Sequence, residues 1–140
     1  MTARSKIAVD TSAIVAIAFG EPEREAFVQA LLSAETAWIS SVSVVEARMV
    51  AHGRRGPRAV VLLDDLLRLP PFAIAAPDRA EIAAAHGAFL AFGKGSGHPA
   101  SLNFGDIFSY ALAKVRDLPL LYKGDDFSET DIRAAVAARG

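Results

Sequence analysis

Ile7-Ala8-Val9 is an unbroken apolar run that stops at Asp10. Runs of this kind suit strands of a parallel sheet covered on both faces, where neither row of side chains meets water. Thr11 to Ile17 then turns directly into a helix, which Gly20-Glu21-Pro22 breaks before a second helix from Glu23 to Leu32. A buried strand that passes through an acid into a helix constrains the whole chain. It puts a carboxylate at a strand's carboxyl end, where ligands bind in α/β folds.

The alternation continues. Trp38-Ile39-Ser40 reads as a second strand, and Ser40 or Ser41 can cap a helix from about Val42 to His52 that ends at Gly53. Val42, Val45, Met49 and Val50 form its expected inward stripe, with Glu46 inside that stripe. Arg54-Arg55-Gly56-Pro57-Arg58 is a basic turn. Ala59 to Leu69 is a further helix with Asp64 and Asp65 on its wet face, and Pro70-Pro71 stops it. Phe72 to Ala75 is the third strand. Asp78 caps a helix to about Phe92 that turns Ile82, Ala85, Phe89 and Phe92 inward.

A Gly-rich basic loop from Gly93 to Ser101 leads to the clearest helix. Asn103 is its N-cap, Asp106 its third residue, and Phe104, Ile107, Phe108, Ala111, Leu112 and Val115 its apolar stripe. Pro119 to Tyr122 is the fourth strand, followed by the turn Lys123-Gly124-Asp125-Asp126-Phe127 and a helical or strand-like tail from Thr130 to Arg139. Strands alternating with helices predict an α/β fold with a parallel sheet and helices on both faces. With no repeat or linker, residues 1–140 read as one domain.

Composition removes several chemistries. There is no Cys, hence no disulfide, thiolate metal site or thiol nucleophile. A net charge of -1 argues against binding a polyanion by bulk charge, so a nucleic acid would need a local basic patch. No apolar run reaches the ~18 residues of a membrane span. A cytoplasmic protein that makes no use of a membrane is expected. His52, His86 and His98 lack metal-ligand spacing, and Gly93-Lys94-Gly95-Ser96-Gly97 lacks the phosphate-loop pattern.

The acids are more telling. Asp10 and Asp125-Asp126 fall at strand ends, while Glu46 and Asp106 lie near helix starts that can approach the same edge. Clustered carboxylates raise one another's pKa unless a cation joins them. An all-oxygen set suits Mg²⁺ or Mn²⁺, which can activate water and stabilise charge on phosphoryl oxygens. Each acid also has a plainer role. Asp10 could cap a helix, Asp106 could ease a helix dipole, and Glu46 could pair with Arg48 or Arg79. One of Asp125 and Asp126 could hold a turn. Glu21, Glu23, Glu25, Asp65, Glu81 and Glu129 are expected at the solvated surface.

Four segments carry a resemblance. Val9-Asp10-Thr11-Ser12-Ala13, Val45-Glu46-Ala47, Leu102-Asn103-Phe104-Gly105-Asp106 and Leu121-Tyr122-Lys123-Gly124-Asp125-Asp126-Phe127, in this order, resemble a PIN domain. More narrowly, they are similar to the toxin subunit of a VapBC toxin–antitoxin pair. The resemblance implies an α/β/α sandwich around a parallel sheet of four or five strands. It implies a Mg²⁺- or Mn²⁺-dependent endoribonuclease, a homodimer, and a small antitoxin that occludes the acidic pocket. Asp10, Glu46 and Asp106 match the family's acids.

The fourth acid is open between two neighbours. Gly124 can turn the chain and leave Asp125 nearest the strand edge, with Asp126 holding the turn and Phe127 anchoring it. Asp125 is therefore the expected fourth ligand. Thr11 and Ser12 are expected to orient water or phosphate. Arg54, Arg55, Arg58, Lys94, His98 and Lys123 are candidates for RNA backbone contacts. The competing class is a PIN-like binding module that has lost catalysis, and a DNA nuclease is a smaller alternative.

Overall fold

The computed structural model describes residues 5–136. The elements are β1 (Ser5–Val9), α1 (Thr11–Ala18), α2 (Arg24–Leu32), β2 (Ala34–Ser40) and α3 (Ser41–Arg55). They continue with α4 (Pro57–Leu67), β3 (Phe72–Ala75), α5 (Arg79–Phe92), α6 (Phe104–Arg116) and β4 (Leu120–Leu121). β2 starts four residues before the expected Trp38, and α3 runs on to Arg55 instead of ending at Gly53. Gly56, with φ of 78°, is the residue that ends it.

The four strands form one parallel sheet in the order β3-β2-β1-β4. The chain steps from β1 through β2 to β3 on one side, then returns to pair β4 with the other edge of β1. The order therefore reverses between β1 and β4. The crevice beyond the carboxyl ends of those two strands is where an α/β sheet opens to a ligand.

Alternation along β1 sorts the core into two layers. Ile7 and Val9 join Ile14, Phe27, Ile39, Ala47 and Leu63, contributed by α1 to α4 and β2. Ala8 faces the opposite layer of Ala85, Leu102, Ile107, Leu112 and Leu120 under α5 and α6. This is the expected α/β/α sandwich, with four strands. Phe127, 2% exposed, closes the second layer just after the β4 turn.

Two helices present a different face from the one expected, and α6 departs from expectation only at its ends. On α3, Ser43, Ala47 and Ala51 are buried, while Val45 and Met49 are 58% and 70% exposed. Four-residue spacing of small side chains lets α3 lie close against its neighbours, and close approach overrides the bulkier stripe. On α5 the buried residues are Glu81, Ala85 and Ala88, and Ile82 and Phe89 face outward. On α6, Ile107, Ala111 and Leu112 are buried as expected, but Phe104 is 72% exposed and Val115 is exposed too.

Glu81 is not at the surface. It is 3% exposed, completes a capping box with Asp78, and lies 3.6 Å from Arg116, whose guanidinium stacks on Trp38. The tail is tied to β4 by a bridge between Leu120 and Ala134. Tyr110 Oη and Lys114 Nζ both donate to Asp131, at 2.7 and 2.6 Å. The rest of the tail, from 137 to Arg139, falls outside the described residues. Among the described residues, no helix is long and apolar enough to cross a membrane.

Candidate active site

Asp10 follows the last residue of β1 and takes extended backbone angles as the N-cap of α1. Its Oδ2 accepts from the Ser12 amide at 3.0 Å and from Ser12 Oγ at 2.7 Å. Its Oδ1 accepts from Ser109 Oγ at 2.5 Å. Capping and a site role are thus compatible, since each carboxylate oxygen can accept more than one bond. The residue is 3% exposed, with no Lys or Arg among its hydrogen-bond or ion-pair partners in the described chain.

Ser12 and Thr11 act on protein groups. Ser12 Oγ accepts from the Lys123 amide at 2.9 Å, which fastens the loop after β4 to the start of α1. Thr11 is buried and its Oγ1 donates to the Ser43 carbonyl at 3.1 Å, fastening α1 to α3.

Asp106 is the third residue of α6. Its Oδ2 accepts from the Asn103 amide at 3.0 Å while Asn103 Oδ1 accepts from the Asp106 amide at 2.9 Å, a complete capping box. The carboxyl is 8% exposed. Burial pushes its pKa from 3.8 up to about 7, the Asn103 hydrogen bond opposes that rise, and the charges of Asp10, Asp126 and Glu46 add to it. Four acids are therefore in electrostatic contact, from the ends of β1 and β4, the second turn of α3 and the first turn of α6.

Glu46 is half-buried, and its carboxylate lies against Gly105, where an added Cβ would collide with it. Neither expected basic partner holds it. Arg48 lies 3.5 Å from Asp64 on α4, and Arg79 is exposed at the start of α5. The stripe expected to carry Glu46 inward is rotated outward, so Glu46 sits at the boundary of the buried Ser43, Ala47 and Ala51 row.

The two acids after β4 have different surroundings. Gly124 does take positive φ, at 95°. Asp126, not Asp125, is the one whose charge reaches Asp106. Asp125 instead borders a separate cavity of about 400 Å³ with Pro22, Phe27 and Tyr122, and its charge helps to raise the Tyr122 pKa after burial has done so. Among the described residues, the Asp126 side chain makes no hydrogen bond to the turn. That turn is closed by Ser128, whose amide and Oγ both donate to the Asp125 carbonyl. A one-residue offset exchanges the sides to which two adjacent side chains point.

The basic candidates are scattered. Arg54 and Arg55 stack on Phe19 at 5.4 and 4.7 Å, with both cations exposed. Arg58 and Lys94 are exposed. His98 Nδ1 accepts from the Ala100 amide at 3.1 Å and its ring meets Phe92 edge-on, so it shapes its own loop. Lys123 is engaged by Glu21 at 3.0 Å and Glu23 at 3.3 Å, and the Glu21 bond is the main reason its pKa is raised.

Among the described residues, no three acids are gathered tightly enough to hold an ion as they stand. The donor set is nevertheless all oxygen, with three carboxylates acting on a fourth that burial keeps partly protonated near neutral pH. That chemistry fits a hard divalent cation. Ser43 and Ser109 are the site residues that sequence reasoning missed. Their only signal was their placement three residues from Glu46 and Asp106 on otherwise apolar helix faces.

The chain matches the family model described as PIN domain over residues 7–133. It is 41% identical over 131 residues to Ribonuclease VapC28 of Mycobacterium tuberculosis, spanning 94% of this chain and 98% of that protein. Its fold matches that of Mycobacterium tuberculosis VapC20, described as a sarcin–ricin loop cleaving toxin, with a TM-score of 0.74 and 18% identity over 90% of this chain and 95% of that one. It also matches VapBC2 of Rickettsia felis, solved bound to a promoter DNA fragment, with a TM-score of 0.72 and 13% identity over 92% and 96% of the two chains.

Proposed function

The chain belongs to the PIN domain family, and from that premise we propose that it is a divalent-metal-dependent endoribonuclease and the toxin of a toxin–antitoxin pair. The observation that carries the reading is the convergence of Asp10, Glu46 and Asp126 on the buried Asp106 beside the β1–β4 crevice. The likeness to a named VapC ribonuclease over nearly the whole chain supports it. Residues 1–140 are read as a single PIN domain, working in the cytoplasm.

Asp10 and Asp106 are the main ion ligands in this reading, with Glu46 and Asp126 completing the acidic set. In this reading Asp126 takes the fourth place, and Asp125 borders the neighbouring cavity. Mg²⁺ is the ion proposed, with Mn²⁺ able to replace it. When bound, the ion supplies Lewis acidity toward water and the phosphoryl oxygens. The chain's own part is orientation: Ser12 and Ser109 hold the two oxygens of Asp10, and Asn103 holds one oxygen of Asp106. Arg54 and Arg55 lie eight and nine residues along α3 from Glu46, ~12–14 Å at a helix's rise, within reach of a flanking phosphate. Arg58 and Lys94 extend that basic surface.

Two partners are proposed. The apolar side chains of Val45 and Met49 on α3 and Val61 and Leu62 on α4 are exposed, and we assign this surface to a small antitoxin. A second apolar surface, Ile82, Phe89 and Leu90 of α5 with Phe104 of α6, is assigned to a homodimer. Phe89 and Phe104 border one cleft there, with Leu102 and Ile107.

The test is direct. Purified chain with Mg²⁺ is offered an RNA and a single-stranded DNA of the same sequence, and the fragment ends are sequenced. The reading expects internal cuts in the RNA and none in the DNA. Cleavage of DNA alone, or of neither, would refute it.

A further inference from the structure

Ser43 and Ser109 are each 0% exposed, one on α3 and one on α6, and their hydroxyl oxygens are 3.2 Å apart. Ser109 Oγ is also 2.5 Å from Asp10 Oδ1. A hydroxyl carries one proton, and an ionised carboxylate can only accept. The Ser109 proton therefore belongs to the bond with Asp10. Ser43 must in turn donate to Ser109, so the direction of the chain is fixed: Ser43 to Ser109 to Asp10 Oδ1. On the opposite oxygen, the amide and hydroxyl of Ser12 donate. Asp10 is gripped at both oxygens, which fixes the plane of its carboxylate.

The same pair sets the spacing of the other acids. Ser43 precedes Glu46 by three residues and Ser109 follows Asp106 by three, spacings that share a helix face. Glu46 lies against Gly105 while Ser43 meets Ser109, so α3 and α6 run in opposite senses where they touch. The hydroxyl contact is one turn from the acid contact on both helices. A change in the first shifts the second.

We propose that Ser43 and Ser109 are positioning residues: they aim the Asp10 carboxylate at the divalent ion and pin α3 to α6 at the spacing that brings Glu46 beside Asp106. The inference rests on the metal-dependent reading above. The plainer alternative is a pair of satisfied hydroxyls that only stabilise the core. Ser→Ala conserves volume at both positions, so the two are separable. A structural pair moves the melting temperature, and a positioning pair moves the affinity for the ion.

The experiment measures Mn²⁺ affinity from the resonance signal of free Mn²⁺, and the melting temperature of the same metal-free samples. It uses wild type, Ser43→Ala, Ser109→Ala and the double variant. Ser109→Ala is expected to weaken Mn²⁺ binding by about tenfold or more, as loss of a group that orients a metal ligand does, with its melting temperature within a few degrees of wild type. Ser43→Ala weakens binding less. The double variant matches Ser109→Ala, because Ser43 acts through Ser109. Wild-type affinity in Ser109→Ala, or additive losses in the double variant, would overturn the proposal. If Ser109→Ala does not fold, Ser43→Ala decides: weaker binding at an unchanged melting temperature supports the proposal, and unchanged binding overturns it. A wild type that binds no Mn²⁺ sinks the metal-dependent reading itself, and this inference with it.

Discussion

The Glu46 carboxylate occupies the space beside Gly105 that a side chain at position 105 would fill. Gly105 is the second residue of α6, between the exposed Phe104 and the buried Asp106, and its missing Cβ lets an acid from α3 approach the helix start. Helix backbone alone would favour Ala there by ~1 kcal/mol. The glycine is explained by the site and not by the helix.

Gly105→Ala should therefore separate stability from activity. The obstructing group is the end of a flexible side chain, so Glu46 can swing away and the fold survives. The melting temperature should hold or rise slightly, while RNA cleavage falls by roughly 10- to 100-fold as a positioned acid is displaced. Full cleavage in this variant would show that the Glu46 position is irrelevant to the reaction.

Asp106 predicts a pH dependence with a defined sign. Its pKa rises from 3.8 to about 7 on folding, chiefly through burial. Between those values the folded protein holds a proton that the unfolded chain releases, so metal-free stability falls as pH rises through the window and levels off above about 7. An Asn at this position keeps an acceptor for the Asn103 amide. Asp106→Asn should thus flatten this part of the profile and raise the metal-free melting temperature at pH 8 by a few degrees, on the order of 1 kcal/mol. Identical melting profiles for the two proteins across this range would contradict the assignment.

The neighbouring acids after β4 should behave unequally. Asp126→Asn is expected to reduce metal-dependent cleavage by about tenfold or more, since it removes a charge directed at Asp106. Asp125→Asn, which alters the cavity beside Tyr122, should leave cleavage within about twofold of wild type. Parallel rate measurements on the two variants check this, and the reverse order of effects would restore Asp125 as the fourth acid.

Expression together with its neighbouring genes should yield a complex with a small protein that suppresses both toxicity and cleavage. Met49, 70% exposed on α3, is a suitable probe of the surface assigned to that protein. Met49→Asp should weaken the complex by roughly 10-fold or more while the free enzyme cuts RNA normally. Retention of a tight complex by the variant would move the antitoxin to another surface.

The sheet and the start of α6 were legible because local chemistry dictates them. Ile7-Ala8-Val9, stopped by an acid and followed by a helix, reads as a covered strand, and Asn103 and Asp106 carry their own capping geometry. The inward faces of α3 and α5 were not legible. There, Ala47, Ala51, Ala85 and Ala88 are buried because neighbouring elements come close, while Val45, Met49, Ile82 and Phe89 are turned outward. Apolar periodicity does not distinguish a surface kept for a partner from one kept for the core. The choice between Asp125 and Asp126 turns on a one-residue offset after Gly124, which no pattern in the sequence specifies. The pairing of Ser43 with Ser109 was not legible for another reason: they lie 66 residues apart, and only the crossing of α3 and α6 joins them.

The most direct test of the acid cluster is cleavage of a defined RNA by purified wild type, Asp10→Asn and Asp106→Asn, each in EDTA and after Mg²⁺ is restored. The account predicts no cutting by wild type in EDTA, recovery with Mg²⁺, and a loss of about a thousandfold or more in both variants at every Mg²⁺ concentration, with folded far-ultraviolet spectra throughout. Undiminished cutting in EDTA, or by either variant, would contradict it.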